Sequence, residues 1–264
     1  QVNLTVPQAQ YPFNDKDPLK IQDLHFTVDG NLAAAQIQLK SALSGMGIPN
    51  SDLALQAVAH LYDIAINQLK LNTLNGTVDL TGNLNWRDGV EWNGHLALAK
   101  MALGAYLADF PAIISGSLNS QGKITQDKQQ ISVSDIDMQG SLLQRPLSLT
   151  GNLHMAEQPL LNVPQLTFTY GDNTINAQGN LGSVSDFTLD INAPNLSGLL
   201  TGLSASVNGK GVVTGNIMHP NLVVDLTAKQ FHFHDIGLAQ ASIKGQLNTE
   251  QRIQGQLNAH LNGF

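Results

Sequence analysis

Apolar and polar residues alternate along most of this chain. Every even position of residues 78–86 is apolar or glycine and every odd position is polar, and residues 147–155, 175–181 and 253–261 repeat the pattern. Strict alternation is typical of a β-strand with one apolar and one polar face. Turn residues recur roughly every 8–12 positions, as they do in all-β folds. We therefore predict an all-β protein.

Two segments are less regular than the rest. Residues 1–20 contain three prolines, and we expect an irregular lead-in there, followed by one continuous sheet over residues 21–264. Residues 53–64 fit both helical and strand spacing, and the alternation around them favours a strand. The chain starts at Gln1 without a signal peptide, so we expect a piece of a longer protein whose membrane anchor lies elsewhere.

One hairpin can be derived from parity. Residues that face each other in an antiparallel pair share one face of the sheet, so apolar residues must pair with apolar residues. A two-residue loop would place a glutamate on the apolar face. A three-residue loop over residues 87–89 instead pairs Leu84 with Trp92 and Trp86 with Val90. We predict the three-residue loop.

An internal repeat is present at an offset of 93 residues. Residues 102–116 align without gaps onto residues 195–209, and three apolar positions share helical spacing in both copies. Each copy therefore predicts one short helix followed by a strand, which gives the fold one or two short helices.

Six glycines fall on the apolar parity of their strands, within a recurring Gly-x-Leu unit. They are Gly82, Gly151, Gly179, Gly215, Gly245 and Gly255. Glycine inside a strand marks a bend or a close approach of another backbone. Two interpretations stay open: a corner in a filled β-sandwich, or an open gutter whose wall bends toward its own apolar side.

Composition narrows the function. Charged residues make up only 12% of the chain and the net charge is −7, which argues against a nucleic-acid partner. The chain has no cysteine, so a disulfide scaffold and a cysteine-based zinc site are excluded. No apolar run reaches the roughly 18 residues that a membrane-spanning helix needs.

Residues able to carry chemistry are few. His232 and His234 would project to one face of a strand, as two zinc ligands can, but no second ligand pair accompanies them and a solvent-exposed pair is favoured. Asp135 and Asp137 are exposed strand neighbours and make a poor glycosidase pair. We predict no catalytic residues, no metal site, no cofactor and no enzyme.

The apolar face is the candidate functional surface. Trp86 and Trp92 share its parity, so packing or contact with an apolar guest is favoured over a carbohydrate platform. The residues predicted to line it are Val78, Leu80, Leu84, Trp86, Leu147, Leu149, Leu153, Leu166, Phe168, Ile175, Phe187, Leu189, Ile191, Leu222, Val224, Leu226, Phe231, Phe233, Leu247 and Leu257.

Several motifs occur together in a familiar order. Residues 211–226 read GVVTGNIMHPNLVVDL, preceded by a leucine-rich turn at 196–200 and, further upstream, by the motifs at 84–86 and 94–96. In this order they resemble the TamB/AsmA-like family of envelope proteins over residues 20–264. Met and His precede the proline of the first segment, where small polar residues are more usual.

The resemblance implies an elongated, curled (taco-like) β-sheet with an apolar concave groove. It implies a segment of a periplasmic bridge whose parent is anchored in the inner membrane, and whose groove carries phospholipid acyl chains between the membranes. It also implies an outer-membrane Omp85-type (TamA-like) barrel partner that binds regions outside this piece. Two other functions stay open: a module that assists outer-membrane protein or autotransporter assembly by strand addition, and a structural spacer with a solid core.

Overall fold

The computed structural model describes residues 1–12, 17–31, 33–107, 111–197, 199, 202–248 and 251–260, with the backbone alone for 248 and 251–260. These residues form seventeen β-strands and a single 3-10 helix, so the all-β prediction is confirmed. The chain divides into two units, Gln1–Ser141 and Leu142–Phe264.

The first unit is an antiparallel meander. Its strands are β1 (Val2–Tyr11), β2 (Leu19–Gly30), β3 (Ala35–Gly45), β4 (Ile48–Ala59), β5 (Asp63–Thr73), β6 (Gly76–Asn85), β7 (Val90–Ala102), β8 (Ala112–Ile124) and β9 (Gln129–Leu142). The 3-10 helix Leu103–Ala105 lies between β7 and β8. From β1 to β8, each strand pairs antiparallel with the next strand along the chain.

The second unit follows the same plan. Its strands are β10 (Arg145–Met155), β11 (Leu161–Tyr170), β12 (Asn173–Leu181), β13 (Ser185–Ala193), β14 (Leu203–Asn216), β15 (His219–Phe233), β16 (Ile236–Asn248) and β17 (Gln251–His260). Each of these strands again pairs antiparallel with its successor.

The first twenty residues are not an irregular lead-in. They contain β1, in which Val2 pairs with Val28 and Leu4 pairs with Phe26. The alternation of apolar residues in β1 thus outweighs its proline, Pro7, which falls between two cross-strand pairs. The expected helix in the first repeat copy is only a 3-10 turn, and the second copy falls partly outside the described residues.

The hairpin between β6 and β7 has the predicted register but a longer loop. Leu84 pairs with Trp92, as parity requires, and the last pair is Asn85 with Glu91. The predicted pair of Trp86 with Val90 is not formed, because the Trp86 amide donates instead to the Tyr62 carbonyl of the preceding hairpin, at 2.9 Å. Five residues, 86–90, therefore separate the two members of the last pair, and the fifth, Val90, already belongs to β7 through its pairing with Ile124.

Neither unit has a conventional core. Among the described residues no large side chain is fully buried, and many of the buried residues are alanine or serine. The accessible surface is 16740 Å², whereas two separate compact domains of half this length would expose only about 13,000 Å². A filled sandwich would bury its central leucine and phenylalanine side chains completely, so these observations favour the open alternative.

Candidate functional site

A row of apolar side chains crosses the first unit from strand to strand. Each member lies directly opposite the next in the pairing register, so all of them share one face, here called the apolar face. This leucine row consists of Leu4, Phe26, Leu39, Leu55, Leu69, Leu80, Leu96 and Leu118, one from each of β1 to β8. At about 4.8 Å between strands, its seven steps extend roughly 34 Å across the sheet.

The second unit carries an equivalent row on its own apolar face. It consists of Leu149, Phe168, Ile175, Ile191, Gly209, Leu226, Ile243 and Leu257. A parallel row contains Leu166, Leu189 and Val224, together with four glycines. Large side chains therefore stand beside empty glycine positions in this unit.

Most of the residues predicted to line the apolar face are paired on it with apolar residues or glycine. Trp86 is the exception, since it lies in a loop, and Leu153 falls where the register of β10 against β11 shifts. None of the predicted residues with a described side chain is buried. Phe168, Phe233 and Trp86 are exposed, at 37%, 37% and 42%, and the others are half-buried. The face is therefore apolar and yet open to solvent.

Gly151 shows what the Gly-x-Leu unit provides. Its φ is +140°, and a Cβ at this position would collide with the backbone carbonyl oxygen of Gln165 on the neighbouring strand. Gly82 and Gly179 approach a partner carbonyl in the same way. These glycines are needed where backbones come close, as the sequence pattern indicated.

The six predicted glycines do not form one continuous row. Gly245 faces Gly255, but Gly82 faces Gly94, and Gly215 faces Pro220 close to a turn. Any bend that they permit is therefore distributed over several rows.

Three bulges keep apolar residues on one face where the parity of the sequence changes. Asp23, Lys100 and Gln230 have φ of 49°, 54° and 50°, and each lies at a shift in register with a neighbouring strand. The extra residue reverses the alternation beyond it. As a result Leu226 and Phe233, whose parities differ, both lie on the apolar face. The change of parity within a strand is the signal that such a bulge leaves in the sequence.

Trp92 lies flat on the apolar face. Its indole ring covers Gly122 of β8, where a Cβ would collide with the ring. Its Nε1–H donates to Ser120 Oγ at 3.1 Å, which satisfies the polar edge of the ring. This arrangement agrees with a packing role, because the sheet covers one face of the indole ring.

Hydrogen bonds between side chains link neighbouring strands on the opposite, polar face. Asn119 Nδ2 donates to Asp135 Oδ2 at 2.7 Å, and His95 Nδ1 lies 2.8 Å from Asn119 Oδ1. A depression of 620 Å³ lies beside this network and is lined mainly by asparagine, glutamine, serine and threonine. Amide and hydroxyl side chains thus make up most of this part of the polar face.

Ionic chemistry is sparse in the part of the chain that the structure describes. No group of three or more potential metal ligands occurs there. The expectation that His232 and His234 project from one strand face is wrong. His232 lies in β15, whereas His234 lies in the following turn. A hydrogen bond from Lys123 to Glu91, at 2.9 Å, and the charge of Glu91 raise the pKa of the Lys123 ammonium.

Comparison with known proteins shows the family of this chain. A family model described as "TamB, N-terminal domain" matches residues 1–264. The chain belongs to the TamB family. A curated relative, "Translocation and assembly module subunit TamB" of Haemophilus influenzae, is 39% identical over 259 residues. The match covers 97% of this chain and 20% of the relative, so the chain spans about a fifth of the relative's length.

No solved structure matches this chain. Within the described residues of this TamB-family chain, no helix combines the length and apolar character that crossing a membrane requires.

Proposed function

We propose that this chain carries phospholipid acyl chains along its apolar face, as a periplasmic segment of a bridge between the inner and outer membranes that supports outer-membrane integrity. The observation that carries the proposal is the leucine row, which continues from strand to strand while its side chains stay half-exposed or exposed. An apolar surface of this extent is an aggregation hazard unless something covers it.

The energetics fit a guest that is recognised by its apolar character alone. Burial of one methylene contributes about 0.8 kcal/mol, so an acyl chain of roughly 16 carbons gains on the order of 10 kcal/mol on leaving water. No hydrogen bond is needed to hold it. Because the row has no polar interruption, a chain can move along it without returning to water.

A second function is favoured by the name of the relative. That protein is called a translocation and assembly module subunit, and a sheet can hold an extended client by strand addition. An assembly role, with an Omp85-type outer-membrane barrel as partner, would depend on main-chain pairing rather than on the apolar face.

Arginine substitutions in the full-length protein test the proposal. Leu149 and Phe168 are cross-strand partners on the apolar face, and Thr150 and Thr167 are the adjacent partners on the polar face. We expect Leu149→Arg and Phe168→Arg to abolish lipid transfer between donor and acceptor vesicles and to shift the unfolding temperature by only a few degrees. Thr150→Arg and Thr167→Arg serve as controls that retain transfer.

Three results separate the alternatives. Retained transfer in both apolar-face variants would refute the lipid function. Unfolding of both would indicate a packed spacer, because an unpaired charge would then be buried. Loss of client assembly in variants that block main-chain pairing at a sheet edge, with lipid transfer intact, would favour the assembly module.

A further inference from the structure

A compact aromatic and cationic cluster lies at the ends of strands in the first unit. Tyr62 belongs to the turn between β4 and β5, and Trp86 and Arg87 belong to the loop between β6 and β7. The Trp86 amide donates to the Tyr62 carbonyl at 2.9 Å, and the Arg87 guanidinium lies 4.8 Å from the centre of the Tyr62 ring. Two successive turns are thus joined into one structure.

The cluster continues the apolar face toward its rim. Ile64, Leu84 and Trp92 form an apolar step across β5, β6 and β7, next to the strand ends. One residue further, Asp63 faces Asn85, and beyond that pair the turns begin. An acyl chain that lies on the apolar face and extends along a strand would therefore leave it beside Tyr62 and Trp86.

The side chains of the cluster suit a boundary between apolar and aqueous surroundings. Tyr62 is 40% exposed and Trp86 is 42% exposed, and each combines an apolar ring with a polar edge. Such residues are enriched where hydrocarbon meets lipid headgroups. The same residues without an adjoining apolar surface would fit a protein contact equally well, and it is the continuity with the apolar step that favours lipid.

Arg87 forms no ion pair with an acid in the described residues, and the charge of Asp88, the next residue in the loop, acts on Lys123. The ion pairs there join His60 to Asp63, Lys123 to Glu91 and Lys244 to Asp225, and none includes Arg87. Because Glu91 is engaged by Lys123 at 2.9 Å, the acid that follows Arg87 in the next strand is already paired. A guanidinium that stacks on an aromatic ring keeps its N–H groups available in its own plane, where they can bind two phosphate oxygens.

We propose that Arg87, with Tyr62 and Trp86, binds the phosphate of a phospholipid whose acyl chains lie on the apolar face; this inference rests on the proposed lipid function. The cluster would then hold the headgroup in water while the leucine row holds the acyl chains. The phosphodiester is common to phospholipid headgroups, so the site would bind them as a class.

Capture of two lipids that differ in the phosphate tests the proposal. Full-length protein is incubated with vesicles of equal parts phosphatidylethanolamine and phosphatidylglycerol, or with the same vesicles containing diacylglycerol, and the bound lipids are quantified by mass spectrometry. We expect Arg87→Gln to reduce phospholipid capture about tenfold, as loss of a charge-assisted contact predicts, and to leave diacylglycerol capture unchanged. Arg87→Lys should restore capture in part, since an ammonium keeps the charge without the planar fork.

Lys128→Gln is the matched control. Lys128 lies in the turn between β8 and β9, is exposed, and has no aromatic neighbour among the ring contacts of the described residues. Equal loss of both lipids in Arg87→Gln, or an equal loss of phospholipid in Lys128→Gln, would overturn the headgroup site. Unchanged capture in Arg87→Gln would also overturn it and would point to a protein contact. Wild-type protein that captures neither lipid would refute the lipid function itself.

Discussion

The two copies of the internal repeat share one backbone hydrogen bond although their residues differ. In the first copy the Tyr106 amide donates to the Leu103 carbonyl at 3.0 Å, and at the offset of 93 the Leu199 amide donates to the Leu196 carbonyl at 3.2 Å. The strand that follows carries a buried alanine at the equivalent position, Ala112 at the start of β8 (1% exposed) and Ala205 as the third residue of β14 (6% exposed).

The copies differ in how they attach to the hairpin that precedes them. In the first unit the Ala102 amide donates to the Leu74 backbone carbonyl at 2.9 Å. In the second unit Asn195 is held by the side chain of Asn173, whose Nδ2 donates to the Asn195 carbonyl at 2.7 Å and whose Oδ1 accepts from its amide at 3.0 Å. The copies thus share one backbone hydrogen bond, whereas the second copy is attached by a side chain where the first is attached by a backbone carbonyl.

The largest expected effect concerns a glycine that both copies share. Gly116 and Gly209 have φ of +146° and +158°, and a Cβ on either would collide with an aspartate carbonyl of the next strand. We expect Gly116→Ala and Gly209→Ala each to cost on the order of 3 kcal/mol of unfolding free energy, measured by urea titration. Gly211, two residues on, has room for a Cβ, with its nearest contact Leu189 Cβ at 3.9 Å.

Gly211→Ala is therefore the control for backbone strain and should change stability by less than about 1 kcal/mol. A loss equal to that of Gly209→Ala would show that any side chain on this part of β14 is harmful, and the shared strain would not be the cause.

The next largest effect concerns Asn173, whose side chain attaches the second copy to the preceding hairpin. Asn173 is 6% exposed and also donates to the Tyr170 carbonyl at 2.9 Å. We expect Asn173→Ala to cost about 2–3 kcal/mol, because it leaves the Tyr170 carbonyl and the amide and carbonyl of Asn195 without their side-chain partner. Hydrogen exchange should show opening at the start of β14 and no change in the first unit. Asn192→Ala, on an exposed strand position, should be near neutral.

A smaller effect concerns the buried alanines. Ala112→Leu and Ala205→Leu should each cost about 1.5 kcal/mol, since the additional carbons must displace packed neighbours. Similar thermal shifts in the two variants would support equivalent packing of the copies. A neutral result in one copy alone would mean that the alanine is incidental there.

The smallest effect compares the exposed ion pairs. Glu91 with Lys123 in the first unit and Asp225 with Lys244 in the second are both direct cross-strand pairs. The raised pKa of Lys123 means that its contribution to stability is complete below the pKa of lysine in the unfolded chain and is lost as the pH rises through the folded value. Thermal melts at alkaline pH should show a slight decline that Lys123→Met reduces and that high salt also weakens.

Alternation alone was enough to predict the faces of most strands and the register of Leu84 against Trp92. It could not locate Trp86, because that residue is held by the Tyr62 carbonyl of another hairpin, a tertiary contact without a local signal. It also could not place the bulge at Gln230, where a left-handed residue reverses the parity between Leu226 and Phe233. Bulges and long-range backbone contacts are properties of pairs of strands, and a single strand's pattern records them only as an irregularity.

Site-specific photocrosslinking in living cells tests the central claim most directly. The probe is placed in the full-length protein at Leu149 or Phe168 on the apolar face, with controls at Thr150 and Thr167 on the polar face of the same two strands. The lipid function predicts phospholipid adducts at the first two positions and none at the controls. Protein adducts, or no adducts, at Leu149 and Phe168 would contradict it.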